Sequence, residues 1–293
     1  MMVEPARTLR WSAWLGWQIE SNWANPLLFV LYLVVKPVTG SMMLVCMYYA
    51  AKAASEGTVA PGLRGAVTPD LLAYMYISSA CFGLVGCVMF GMSYVVISDR
   101  ETYRMLKYVF ISPAKFQAYF LGRGLARMLE GLVGGTITVL AGLAIPDVRA
   151  HLDIARVEWG WLAAYMSIGF VMLWAAGMIL ASAVMNMSRN SMFLSEGISG
   201  VVYFLSGVIF PLSILPGWLQ LLSKLLPTTY WLEGVRRSVL GPTKGQFDDW
   251  THLHIFAALV ACTLALVVAS QWFYRWSVQR AWRNGKIEET TGN

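Results

Sequence analysis

The amino-acid sequence predicts an all-α polytopic membrane protein. Six transmembrane helices are expected, with an N-terminal amphipathic interfacial helix and an outer re-entrant helical hairpin between helices 5 and 6. Three observations carry this. Hydrophobic residues fill 57% of the 293 positions and charged residues only 13%, about half the ~25% of a soluble domain. Mean hydropathy is +0.57. Apolar runs long enough to cross ~30 Å of hydrocarbon recur along the chain. A disordered chain, a collagen-like chain and an ordinary cytosolic enzyme are thereby excluded.

Residues 1–26 read as a helix lying in the membrane plane. Trp11, Trp14, Leu15 and Ile19 share one face, and Arg10, Glu20 and Ser21 fall largely elsewhere. No compact apolar core or small-residue cleavage site follows Arg7 and Arg10, so the segment is not a secretory signal. Asn25-Pro26 breaks it before the six-helix domain, 27–276. The spans are expected at 27–50, 71–97, 118–145, 159–185, 192–210 and 254–276, followed by a short polar tail, 277–293.

Tryptophan placement agrees. Twelve of the thirteen lie near a proposed interface and only Trp174 falls mid-span, as an aromatic belt requires. Lys and Arg set the orientation. With both termini cytoplasmic, the inner segments carry thirteen and the outer segments eight, Lys36 being set aside. The net charge of +6 is then topological, and nucleic acid is not an expected partner.

Lys36 stands mid-span beside Pro37. A buried ammonium there is expensive and points to function. It is open to three readings: binding an anionic headgroup, pairing with a carboxylate across a subunit interface, or snorkelling. Arg127 and Glu130 are spaced to pair at the start of the third span. Cys46, Cys81, Cys87 and Cys262 read as small buried hydrophobes. His252 and His254 read as a loop pair rather than a metal site.

Two segments carry the functional signal. After the second span comes Ser98-Asp99-Arg100-Glu101-Thr102-Tyr103-Arg104, then Leu106, Lys107, Val109 and Phe110, then Ser112-Pro113. Ser98 with Glu101 fits a capping box. The spacing predicts a short cytoplasmic helix within 99–115 whose charged face is free. Between the fifth and sixth spans, Pro211, Pro216 and Pro227 punctuate an apolar piece, 217–226, too short to cross. Segment 211–237 is expected to enter from outside and return, with Tyr230, Glu233 and Arg236 in it.

Together these segments resemble the permease subunit of type-2 ABC transporters. Asp99-Arg100-Glu101 leading to Ser112-Pro113 matches that family's acidic box. Ser206 to Gln220, then Leu226-Pro227-Thr228-Thr229-Tyr230, Glu233 and Arg236, match its second signature. The Thr102-Tyr103 pair departs from the Gly-Thr of many members. The resemblance implies an ATP-driven exporter permease acting as a dimer with a second copy or a paralogue. Its coupling surface to a separate ABC ATPase subunit would be Asp99, Arg100, Glu101, Tyr103, Arg104, Lys107, Ser112 and Pro113. Its path or gate would include Lys36, Pro211, Pro216, Pro227, Tyr230, Glu233 and Arg236. Drugs, lipids or lipid-linked glycans would be the cargo, and the location the inner (plasma) membrane among its lipids. The chain has no GxxxxGK[ST] phosphate loop, so no catalytic role and no cofactor fall to it; ATP and Mg would be bound by the partner. The competing expectation is a secondary transporter or channel, which needs inverted repeats or intramembrane carboxylates. Glu130 is the acidic residue the reading places inside a span.

Overall fold

The computed structural model describes residues 5–22, 25–56, 68–112, 115–152, 154–187, 191–241, 247 and 249–285, and these contain helices and turns but no strand. Twelve α-helices follow in order. They are α1 (Pro5–Ser21), α2 (Pro26–Glu56), α3 (Pro69–Val85), α4 (Gly91–Glu101), α5 (Leu106–Ile111) and α6 (Phe116–Gly142). Then come α7 (Pro146–Arg149), α8 (Trp159–Met185), α9 (Ser191–Leu205), α10 (Gly217–Leu225), α11 (Pro227–Leu240) and α12 (His252–Arg283).

Local chemistry sets the starts. Asn25 accepts from the Leu27 amide through Oδ1 at 2.9 Å, with Pro26 at the first helical position. Thr68 accepts from the Leu71 amide ahead of Pro69 in the same way. Between α3 and α4 the residues Gly86–Phe90 form a π-helical turn, so residues 69–101 make one long element with a local bulge. Five elements among the described residues are long and apolar enough to cross a membrane: α2, the α3–α4 run, α6, α8 and α12.

The structure corrects the expectation in four places. The fifth predicted span, 192–210, is the 15-residue α9, about 22 Å long at 1.5 Å per residue. It stops at Ser206, and Gly207 has φ +66, a left-handed conformation that suits glycine. Ser98 does not open the loop helix. It lies at the end of α4, where its hydroxyl donates to the Val95 carbonyl and its own carbonyl accepts from the Thr102 and Tyr103 amides. The loop helix is the six-residue α5. Finally, α12 runs on to Arg283, through residues expected to belong to a separate tail.

The core is centred on α8, which packs on α4, α11 and α12. Met172 and Leu173 of α8, Trp231 and Leu232 of α11, and Ile255 and Leu259 of α12 are buried together with Val85 and Val88. α1 lies lengthwise on α6. Its buried residues are Thr8, Ser12 and Gly16, while Trp11 and Trp14 are exposed. The contact is made by small residues: a Cβ added to Gly122 would collide with Ser12, and one added to Gly16 would stand 2.9 Å from Ala126 Cβ. The amphipathic helix thus leaves Trp11 and Trp14 free, packs Leu15 against the core and docks chiefly by its small residues.

Candidate functional site

At one end of the bundle, the α4–α5 loop is pinned from below. Asp99 is 0% exposed. It accepts from Arg123 Nη2 at 3.1 Å and from the Tyr119 hydroxyl at 2.7 Å, both on α6. Arg100, 2% exposed, donates to the Met187 carbonyl at 2.7 Å and to Glu101 at 3.1 Å. Asp99 and Arg100 are therefore anchors, and the charged face that the sequence left free is turned inward at these two positions. A buried pair of this kind is held by geometry, because each charge has lost its water.

What remains outside is Tyr103, Arg104, Lys107, Tyr108 and Ile111, all exposed. Lys107 Nζ lies over the Tyr108 ring at 5.3 Å. Leu106, on the opposite side of α5, is buried in the core formed with Val95, Phe116 and Phe120. Arg104 has φ +50, a conformation that costs a non-glycine residue about 1 kcal/mol. The Met105 amide, donating to the Asp99 carbonyl at 2.9 Å, closes the turn around it. Ser112 donates to the Val109 carbonyl at 2.7 Å. Pro113 lies outside the described residues. Tyr119 was not singled out in the sequence, and Arg123 was read only, with Arg127 and Glu130, as a charge opening the third span. Arg123, set inside a predicted span, was the available signal.

The same end carries a second ionic cluster. Arg127 meets Glu20 of α1 at 2.6 Å and Glu130 at 2.9 Å, the latter as its spacing predicted. Burial pushes the Glu20 carboxyl above its ordinary range, against the pull of Arg127. α1 is thereby fastened to α6 at both a small-residue seam and an ion pair.

At the other end, α10 and α11 form the punctuated segment. Pro227 occupies the first position of α11, which suits a residue without an amide hydrogen. α10 is exposed along Trp218, Leu221 and Leu225. α11 is buried: Glu233 is 5% and Arg236 1% exposed. Glu233 pairs with Arg236 and with Arg237, each at 2.8 Å, so the predicted i,i+3 and i,i+4 partners are both used. Arg236 also donates to Ser78 Oγ at 3.0 Å and to the Gly207 carbonyl at 2.9 Å, and stacks over Tyr74 at 4.2 Å. Arg237 donates to the carbonyls of Phe247 and Trp250. Ser206 and Thr228 share a 2.6 Å hydrogen bond, and Tyr230 donates to the Lys224 carbonyl at 2.8 Å.

The direction of α11 follows from its contacts with α8. The Glu158 amide donates to the Ser238 carbonyl at 2.9 Å, whereas Trp231 sits against Gly169, whose missing side chain makes room for the indole. Eleven residues of α8 separate these levels, about 16 Å. α11 therefore runs antiparallel to α8, with Pro227 at its deep end. Pro211 and Pro216 flank the 3-10 turn Leu212–Ile214 that precedes α10.

Lys36 lies on an exposed face of α2, its ammonium 2.6 Å from the Tyr32 hydroxyl. It is close to neither the Glu233 triad nor the α5 surface. One residue inside the fifth predicted span was overlooked. Glu196 of α9 is exposed, so Glu130 is not the sole acidic residue within an apolar helix. His252 stacks on Trp161 and reaches Glu158 at 3.6 Å, while His254 meets Thr251; the two rings serve separate neighbours.

Long apolar helices, a pinned loop helix at one end and a buried broken-helix segment at the other are the architecture of a multi-pass membrane protein. Comparison with known families gives the class a name. The ABC-2 type transporter family matches residues 10–240, and the chain belongs to that family as a transmembrane permease component. A search of curated proteins returns no match.

Proposed function

We propose that this chain forms half of the translocation path of an ATP-driven exporter and is driven by a separate ABC ATPase subunit. One observation carries the reading: the α4–α5 loop and α5 expose Tyr103, Arg104, Lys107, Tyr108 and Ile111 while their root is locked by buried Asp99, Arg100 and Arg123. A surface held so firmly transmits a push. Motion of an ATPase against α5 moves α4 and α6 together, because Asp99 and Arg123 cannot part cheaply. Both termini and α5 are then cytoplasmic, and α10–α11 is a re-entrant cap at the outer end.

In this reading Pro211, Pro216 and Pro227 set the bends of the cap. Tyr230, Glu233 and Arg236 hold it closed against α3, α8 and α9. Lys36 stands apart from it. The cargo class is an amphiphile: a drug, a lipid or a lipid-linked glycan. ATP and Mg belong to the ATPase partner.

The test is substrate-stimulated ATPase activity of the reconstituted complex, screened over lipids, glycans and hydrophobic drugs. Glu101→Ala, Tyr103→Ala and Lys107→Glu are expected to leave basal hydrolysis intact and to reduce transport at least tenfold. Unchanged transport in all three places the coupling contact elsewhere. Transport by vesicles containing this chain alone, driven by an ion gradient, replaces the reading with a secondary transporter.

A further inference from the structure

We infer that the end of α12 beyond Trp272 docks an anionic phospholipid of the cytoplasmic leaflet, its phosphate held by Arg275 and Arg280 and its acyl chains laid along Leu264 and Val268. The leaflet rests on the orientation proposed above; the lipid site itself does not.

Length places the site at the edge of the hydrocarbon. α12 has 32 residues and is about 48 Å long, whereas ~30 Å of hydrocarbon takes about 20 residues. Counted from His252, that length is used up near Trp272. Neighbouring helices end at the same level. Gln117, at the start of α6, donates to Gln271 Oε1 at 2.8 Å. Asn186, the cap of α8, donates to the Ser277 carbonyl at 3.3 Å. Residues 278–283 therefore run on past the end of α8 for about 9 Å.

One stripe of α12 stays uncovered along its second half. Thr263, Ser270, Tyr274, Ser277 and Ala281 are buried. Away from them, Leu264, Val268 and Trp272 are exposed. At the same helical spacing the exposed stripe goes on through Arg275, Gln279 and Arg283, with Trp276 and Arg280 beside it. It is apolar before Trp272 and basic after it, which matches acyl chain followed by phosphate. The Arg280 guanidinium lies over the Trp276 ring at 5.1 Å, and an indole at the interface keeps that cation at headgroup level.

Charge selects the kind of lipid. α12 contains no Asp or Glu, and among the described residues no carboxylate pairs with Arg275, Arg280 or Arg283. The ammonium of a zwitterionic headgroup finds no counter-charge there, whereas an anionic headgroup meets only cations. The continuity of the stripe favours lipid over protein, because a subunit docked beneath the membrane reaches Arg283 but not Leu264 or Val268. Tyr274 and Ala281 share a buried cluster with Leu106 of α5, so the basic stripe faces away from the surface offered to the ATPase.

The test is lipid retention by the full chain. The protein is purified in detergent and exposed to equal amounts of phosphatidylglycerol and phosphatidylcholine, and bound lipid is counted by native mass spectrometry. A preference for phosphatidylglycerol is expected. Each arginine near an anionic surface supplies about a fivefold preference, so Arg275→Gln combined with Arg280→Gln should lower it by about tenfold or more. Arg10→Gln, on exposed α1, should leave it unchanged. Phosphatidylglycerol should raise the melting temperature of the native chain but not of the double variant. In phosphatidylcholine alone the two should melt alike, which shows that the variant is folded. No preference in the native chain, or an equal loss in Arg10→Gln, overturns the inference. In sealed vesicles, Gln279→Cys in a chain whose own cysteines are replaced by Ala should label from the cytoplasmic side. Labelling only from outside overturns the orientation and the assignment to the cytoplasmic leaflet, a failure distinct from loss of the lipid preference. Shielding of Gln279→Cys by the ATPase subunit, with phosphatidylglycerol displaced, shows that protein covers this face and overturns the inference.

Discussion

Asp99 and Arg123 show how a residue's role changes once its neighbours are known. Asp99 read as part of an exposed box, and its burial against α6 makes it a fastener. Removing one partner of a buried pair costs about 3–5 kcal/mol. Asp99→Asn and Arg123→Met are each expected to lower thermal stability by that order. The double variant should cost less than the sum, because the second change removes the charge that the first left alone. Additive losses would show that the two residues act independently. Glu233→Gln is the parallel case at the other end: it leaves Arg236 and Arg237 facing each other without a carboxylate. It should sharply reduce folded protein, whereas Lys224→Ala on exposed α10 should not. Equal yields of the two variants would remove the triad from the core.

Among the elements, α1 is the clearest case of information split between faces. Its tryptophans were legible as an apolar stripe, but its docking side is Thr8, Ser12 and Gly16, residues that carry no hydrophobic signal. Gly122→Leu fills the notch that Ser12 occupies and should detach α1 while leaving α6 helical. A cysteine at Ser12, shielded in the native chain, should then label readily; continued protection would mean that α1 is held by Glu20 and Arg127 alone. The long spans were legible because length and hydropathy suffice for α2, α6, α8 and α12. α9 was over-extended because Val208, Ile209 and Phe210 prolong its apolar run. Only the positive φ of Gly207 shows where the helix stops. Ser98 was misjudged for a related reason: a capping box looks the same at the end of one helix as at the start of another.

For the whole molecule, the function proposed for this member of the ABC-2 type transporter family makes energy input a matter of association. The purified chain should hydrolyse ATP only at background rate, and activity should appear on adding the ATPase subunit. Robust hydrolysis by the chain alone would contradict the absence of a phosphate loop. The two signature segments were readable because prolines and acidic-basic runs are visible in one dimension. Their anchors were not, because Arg123, Tyr119 and Ser78 lie on other helices, and Gly207 just beyond α9, and they become relevant only when α6, α3 and the end of α9 are packed beside them.

The burial of α11 also constrains how the protein is made. With Glu233, Arg236 and Arg237 within five residues, α11 is too polar to enter a bilayer on hydropathy alone. Its carbonyl acceptors include Phe247 and Trp250, and its neighbours include the first turns of α12. None of these has emerged when α11 leaves the ribosome. The segment must therefore wait, outside the hydrocarbon, until the chain has been synthesised through α12, which ends at Arg283, and α12 has inserted. A nascent chain arrested soon after Leu240 should leave α11 open to protease, and one arrested beyond α12 should protect it. α12 is thus also the signal that lets the preceding segment take its seat.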